Sequence, residues 1–88
     1  NKQRYLDKKE YDRNLRKLRK RLGESELKIE IMEAELLEMD KLLMNPAGSE
    51  KNEEIYKKYE ELKGYLNEEM NKWAGYSHEI ELFLRDNN

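Results

Sequence analysis

Residues 15–43, LRKLRKRLGESELKIEIMEAELLEMDKLL, decide how this chain folds. Apolar side chains recur there at alternating spacings of three and four residues, which places them on one face of an α-helix. A repeat sustained over four heptads is typical of a coiled coil. The positions of this first seam are Leu15, Leu18, Leu22, Ser25, Ile29, Met32, Leu36, Met39 and Leu43, and Tyr11 extends it towards the N-terminus.

A loop signal follows at residues 45–49, where Pro46 removes a backbone donor and Gly48 allows a positive φ. Beyond it the same spacing resumes in a second seam. Its positions are Ile55, Tyr59, Leu62, Leu66, Glu69, Trp73, Tyr76, Ile80 and Phe83. Two heptad segments joined by a short loop predict an all-α fold, an antiparallel two-helix coiled-coil hairpin. We expect helix 1 at about 4–44, a loop at 45–52 and helix 2 at about 53–85.

Folding the second segment back on the first pairs the two seams layer by layer. The predicted layers are Leu43–Ile55, Met39–Tyr59, Leu36–Leu62, Met32–Leu66, Ile29–Glu69, Ser25–Trp73, Leu22–Tyr76, Leu18–Ile80 and Leu15–Phe83. Ser25, the smallest seam residue, falls opposite Trp73, the largest, and this volume match favours the hairpin over a parallel homodimer. Glu69 is a misfit. We expect either that Met70 turns inward in its place or that Glu69 extends past Ile29 to water.

Each arm of the predicted hairpin has about 30 residues, which makes a rod roughly 45 Å long. Residues 1–14 have few counterparts after Phe83, so we expect an N-terminal helical extension. Gly23 and Gly75 fall at the same height of the rod, where they form either a hinge or two tolerated surface glycines. The whole chain, residues 1–88, is predicted to be one domain, and we expect it to be part of a larger protein.

The composition fits long solvated helices and not a thick core. Charged residues make up 43% of the 88 residues, hydrophobic ones 36%, and there is one Pro. Stability therefore has to come from the seam. Cysteine is absent, which excludes disulfides and thiolate sites, and the single histidine, His78, cannot form a metal site alone. The lack of cysteine and of a histidine cluster fits the intracellular location that we expect. No apolar run is long enough to cross a membrane.

Catalysis is not predicted. Paired carboxylates such as Glu60 and Glu61 are abundant, but general acid–base chemistry needs a water-excluded pocket, which a two-helix rod does not form. The sequence has no Gly-rich phosphate loop and no Ser/His/Asp set. We therefore expect a binding or structural module without a cofactor of its own.

The net charge of −2 conceals a strong asymmetry. Residues 1–22 carry ten Lys/Arg and three acids, whereas residues 23–88 carry eight and seventeen. A helical stripe with this excess can neutralise phosphates, and Tyr5 and Tyr11 beside it offer stacking surfaces. The alternative is that the charges only keep the coiled coil soluble. The predicted nucleic-acid-binding residues are Lys8, Lys9, Arg13, Arg16, Lys17, Arg19, Lys20 and Arg21, and Lys2 and Arg4 extend the charge.

A minor apolar stripe of Leu27, Ile31 and Ala34 lies off the first seam. It offers a packing surface to a neighbouring domain or to a second copy of the hairpin. This stripe, or the acidic end of the rod, supports the alternative to nucleic-acid binding, which is a structural spacer or a protein-interaction hairpin.

The basic opening also resembles a known family. Residues 8–13, KKEYDR, followed by residues 15–18, LRKL, are similar to the start of the C-terminal domain of ABC-F ATPases of the Uup type. Residues 26–35, ELKIEIMEAE, resemble the stretch that follows it in that domain. The loop at 45–49, the tyrosines Tyr56 and Tyr59, and Trp73 are similar as well, so the resemblance covers residues 8 to about 84.

The resemblance implies a C-terminal appendage that follows two ATP-binding cassettes in a soluble, cytoplasmic protein. Proteins of this family act on ribosomes or nucleic acid, so the expected partner is DNA or ribosomal RNA. The hairpin itself is expected to be monomeric, because its two seams pair within one chain. ATP and Mg²⁺ would belong to the cassettes, because this sequence contains no Walker A, signature or Walker B motif. The tyrosine-rich second helix and the acidic tip depart from the family and leave open which nucleic acid is bound.

Overall fold

A computed structural model describes residues 2–44 and 52–86 and confirms the predicted helical hairpin. Helix α1 runs Lys2–Leu43 and helix α2 runs Asn52–Asp86, against the expected 4–44 and 53–85. The Met44 amide donates to the Asp40 carbonyl at 3.1 Å and closes the last turn of α1. The loop signal at 45–49 lies outside the described residues.

The hairpin is a thin rod of 72 × 15 × 14 Å. With 42 residues, α1 alone is about 63 Å long, because the predicted N-terminal extension adds to the paired arm of roughly 45 Å. Leu15 and Leu18 are the buried apolar side chains of the described residues. Two helices cannot enclose a thicker core, so the remaining apolar seam side chains other than Trp73 stay half-buried.

The heptad pattern identifies the seam correctly at nearly every position. In α1 each seam residue from Tyr11 to Leu43 is buried or half-buried, and in α2 the same holds for every seam residue except Trp73. Spacings of three and four residues return to the same side of a helix, so the pattern by itself selects the side chains that face the partner helix.

The predicted layer that joins Ser25 to Trp73 is wrong. The Ser25 hydroxyl donates to the Glu69 carboxylate at 2.7 Å and lies 3.4 Å from the Glu69 carbonyl oxygen. Ser25 therefore faces a residue one helical turn earlier in α2. The Trp73 indole lies on the flank of the seam, where its Nε1 donates to Glu26 Oε1 at 3.1 Å. An indole is wide and its N–H needs an acceptor, and the flank satisfies both requirements.

Both expectations for Glu69 are also wrong. Its side chain is only 7% exposed, whereas Met70 points outward and is 44% exposed. Glu69 therefore neither gives way to Met70 nor extends past Ile29 to water. A carboxylate inside the seam needs a hydrogen-bond donor, and Ser25 supplies one while its small side chain leaves room for the carboxylate.

An aromatic pair joins the two helices near the start of α1 and the end of α2. The rings of Tyr11 and Phe83 stack with their centroids 4.7 Å apart and an interplanar angle of 21°. Phe83 was predicted to face Leu15, so its partner lies one turn earlier in α1. Phe83 is three residues from the end of α2, so the first turns of α1 extend past its partner as predicted, with Tyr5 and Leu6 exposed.

Gly23 and Gly75 lie inside continuous helices, and neither has a positive φ. A Cβ added at either position would have no neighbouring atom within 4 Å. Neither a backbone conformation nor a close approach therefore requires glycine there.

Candidate nucleic-acid interface

All eight predicted nucleic-acid-binding residues are exposed on the N-terminal half of α1. Five of them lie at spacings of three, four and seven residues, which places them on one side of the helix, directly away from α2. We call this set the basic face. It consists of Lys9, Arg13, Arg16, Lys17 and Lys20.

The other three predicted residues are not part of the basic face. Arg19 and Arg21 lie on the two flanks of α1, and Lys8 lies on the same side as the seam, near the end of α2. Their heptad positions follow from the sequence and could have separated them from the other five. The structure thus reduces the predicted stripe of eight to a narrower face with charges on either side.

The basic side chains are available to an external ligand. In residues 2–44 and 52–86 the basic and acidic groups within 4.0 Å of each other are Lys41–Glu38 at 3.3 Å and His78–Glu81 at 4.0 Å, the second being an ion pair only when the imidazole is protonated. Neither contact involves the eight predicted residues. The neighbouring end of α2 adds little charge, because residues 72–86 carry two Lys/Arg and three acids. The positive excess of residues 2–22 is therefore largely uncompensated.

The length of the basic face suits a phosphate backbone. Lys9 and Lys20 are eleven residues apart, which corresponds to about 17 Å along the helix. One DNA strand carries a charge about every 3.4 Å of helix axis, so the face spans about five phosphates. Successive basic side chains separated by one turn are about 5 Å apart along the axis, which is close enough to reach neighbouring phosphates.

The two tyrosines predicted as stacking surfaces differ in the structure. Tyr5 is 67% exposed and lies beside Lys8 and Lys9 at a shallow hollow of the helix surface. Tyr11 instead stacks on Phe83, so one of its faces is already covered. Tyr5 is the aromatic side chain of this end that remains open to a base.

The outer side of α1 changes character beyond the basic face. Leu27 and Ile31 are both more than half exposed on the same side of the helix as Arg13 and Lys20, and Ala34 continues the apolar stripe. The structure thus places charged and apolar surfaces end to end on α1.

A third feature was not predicted from the sequence. An open hollow of about 510 Å³ lies on the flank of the rod, between the two helices. The heptad pattern predicts Trp73 as a seam residue and gives no signal for it as part of a surface site. The residues that line this hollow are Glu26, Ile29, Glu30, Met70, Trp73 and Ala74.

Among the described residues, no group of three His, Asp or Glu side chains is arranged to hold a metal ion. Neither α1 nor α2 contains a stretch that is both long and apolar enough to cross a bilayer. Comparison of the chain with protein-family models, with curated proteins and with solved structures finds no match. The likeness to the Uup-type domain therefore stays a prediction.

Proposed function

We propose that this hairpin is a non-catalytic appendage that binds DNA or ribosomal RNA through the basic face of α1. The observation that carries the proposal is the arrangement of that face: five exposed Lys/Arg side chains on one side of a helix, none of them in an ion pair within the described part of the chain. Each of these side chains is free to neutralise a phosphate and to release its counterion.

Such a face contacts the phosphate backbone of the nucleic acid and does not read the base sequence. Exposed Lys and Arg on a single helix side supply charge, and the exposed ring of Tyr5 supplies one stacking surface for an unpaired base. The rest of the rod is acidic and is repelled by phosphates, so the hairpin is oriented with its basic end on the nucleic acid and its loop end projecting away.

The resemblance to the Uup-type domain supports this proposal and gives it a context. In that context the hairpin belongs to a soluble, cytoplasmic ABC-F type ATPase that acts on ribosomes or DNA. ATP and Mg²⁺ bind to the cassettes of that protein, and the hairpin contributes affinity for the nucleic acid and no catalytic group.

The proposal is tested by fluorescence anisotropy of labelled duplex DNA and of structured RNA across a salt series. If all five side chains of the basic face contact phosphates, the logarithm of the association constant should fall with the logarithm of salt concentration with a slope of roughly −4 to −5. A variant with Arg13, Arg16, Lys17 and Lys20 changed to Glu should lose binding to the preferred ligand.

A matched control carries the same change of net charge elsewhere. Lys28, Lys57, Lys58 and Lys72 are all exposed and lie outside the basic face, so changing these four to Glu should lower affinity by much less. Equal losses in the two variants would mean that only net charge matters. Absence of binding to either ligand at low salt would refute the proposal for this chain.

The second candidate function is a spacer or protein-docking hairpin, which is favoured by the exposure of Leu27 and Ile31. This candidate function predicts no steep dependence of nucleic-acid affinity on salt concentration. Changing Leu27 and Ile31 to Ser should leave nucleic-acid affinity unchanged if the first proposal is correct.

A further inference from the structure

The hollow on the flank of the rod, the Trp73 hollow, combines an apolar floor with an aromatic wall and two carboxylates. Ile29, Met70 and Ala74 provide the apolar surface, and Glu26 and Glu30 lie along the α1 side. None of the residues of the basic face lines it. The hollow is therefore a surface separate from the basic face.

The indole of Trp73 is held in place. Its Nε1 donates to Glu26 Oε1 at 3.1 Å, which fixes one edge of the ring to α1, and the side chain remains 37% exposed. A ring with one edge fixed and part of its surface open loses little freedom when a ligand stacks on it. The chain contains one Trp, so this ring is also the sole indole reporter of the molecule.

The charge around the hollow selects a cation. Residues 24–44 carry seven acids and two Lys/Arg, and residues 52–74 carry six acids and four lysines. Glu26 and Glu30 are exposed and lie at the hollow itself. The face of an indole is negative as well, so the carboxylates and the ring attract the same kind of ligand.

We propose that the Trp73 hollow binds an arginine side chain of a basic partner protein. A guanidinium is planar and weakly hydrated, so it stacks on an indole while its N–H groups donate to the carboxylates of Glu26 and Glu30. The aliphatic part of the arginine covers the apolar floor. A lysine ammonium is compact and strongly hydrated and lacks the planar surface, so it fits this hollow less well.

The test is a titration of the 88-residue chain with acetyl-Gly-Arg-Gly-amide at low salt, followed by Trp73 fluorescence. The matched ligand replaces arginine by citrulline, which keeps the shape and removes the charge. We expect a saturable change with the arginine peptide and about tenfold weaker binding of the citrulline peptide, since the attraction to the ring and to the carboxylates is lost together. A lysine peptide should fall between the two.

Variants that keep the indole separate this site from general attraction to an acidic rod. Glu30→Gln should weaken the arginine peptide about threefold, and Glu26→Gln with Glu30→Gln about tenfold. Glu35→Gln removes the same charge on the opposite flank of α1 and should have no effect. An equal effect of Glu35→Gln, equal affinity for citrulline, or no saturable signal would each overturn the proposal.

A second copy of the hairpin is the competing occupant. It would shift Trp73 fluorescence when the protein alone is concentrated, in step with a dimer mass in sedimentation. That result would assign the hollow to self-association and would also overturn the proposal.

Discussion

The buried pair of Ser25 and Glu69 gives the sharpest test of how the hairpin is held together. Ser25 is 2% exposed and donates to the Glu69 carboxylate at 2.7 Å. Ser25→Ala removes this donor and leaves the carboxylate inside the seam with one hydrogen bond fewer. A hydrogen bond to a charged group contributes roughly 1.5–3 kcal/mol, and the better helix propensity of Ala recovers a few tenths. We expect a net loss of about 2 kcal/mol in the free energy of unfolding.

Urea denaturation followed by circular dichroism measures this loss, and in a thermal scan it corresponds to a fall in Tm of roughly 10 °C for a chain of this size. Ser77→Ala is the matched control, because Ser77 is a half-buried serine of α2 and gains the same helix propensity. It should change the free energy of unfolding by less than about 0.5 kcal/mol.

A double-mutant cycle isolates the pair. In a Glu69→Leu background the seam contains no carboxylate, so Ser25→Ala should cost less than about 0.5 kcal/mol there. The doubly substituted protein should be about as stable as the parent or more so, since two apolar groups replace a buried polar pair. The reasoning is refuted if Ser25→Ala costs the same in both backgrounds, or no more than Ser77→Ala.

Gly23→Ala and Gly75→Ala should each raise the free energy of unfolding by about 1 kcal/mol in urea denaturation, because the added Cβ meets no atom within 4 Å. Gly64→Ala has the same free space and should give the same gain in the free energy of unfolding. If nucleic-acid affinity falls with Gly23→Ala and Gly75→Ala but not with Gly64→Ala, the two glycines form a hinge. The pKa of Tyr59 is raised above 10.0 chiefly by a hydrogen bond to the Asp40 carboxylate. The neutral phenol is therefore favoured in the folded state. Its contribution to the free energy of unfolding is complete below pH 10 and is lost as the pH rises through the raised pKa. Asp40→Asn should return the pKa towards 10.0 in an absorbance titration compared with Tyr59→Phe, and an unchanged pKa would contradict the assigned cause.

Much of the candidate interface was predictable because its signal is local. Lys and Arg at exposed helix positions stay exposed whatever the partner helix does, so all eight predicted side chains were found on the surface. Their division into the basic face, the flanking Arg19 and Arg21, and Lys8 on the side of the seam follows from helical periodicity once α1 is known to be continuous. The Trp73 hollow was not predictable in this way, because the side chains that line it come from two helices and are 40 to 48 residues apart in the chain.

Three properties of the hairpin follow from the sequence alone: the two helices, the side that each presents to the other, and their antiparallel pairing. These properties rest on a heptad period and on a loop signal, both of which act over short distances along the chain. Tertiary structure decided which side chains occupy the middle of the seam. Volume matching predicted Ser25 against Trp73, but the indole lies on the flank of the seam and is 37% exposed. Hydrogen bonding then placed Glu69 on Ser25 and the Trp73 N–H on Glu26, because a buried carboxylate and an indole N–H both need partners that only the opposite helix provides.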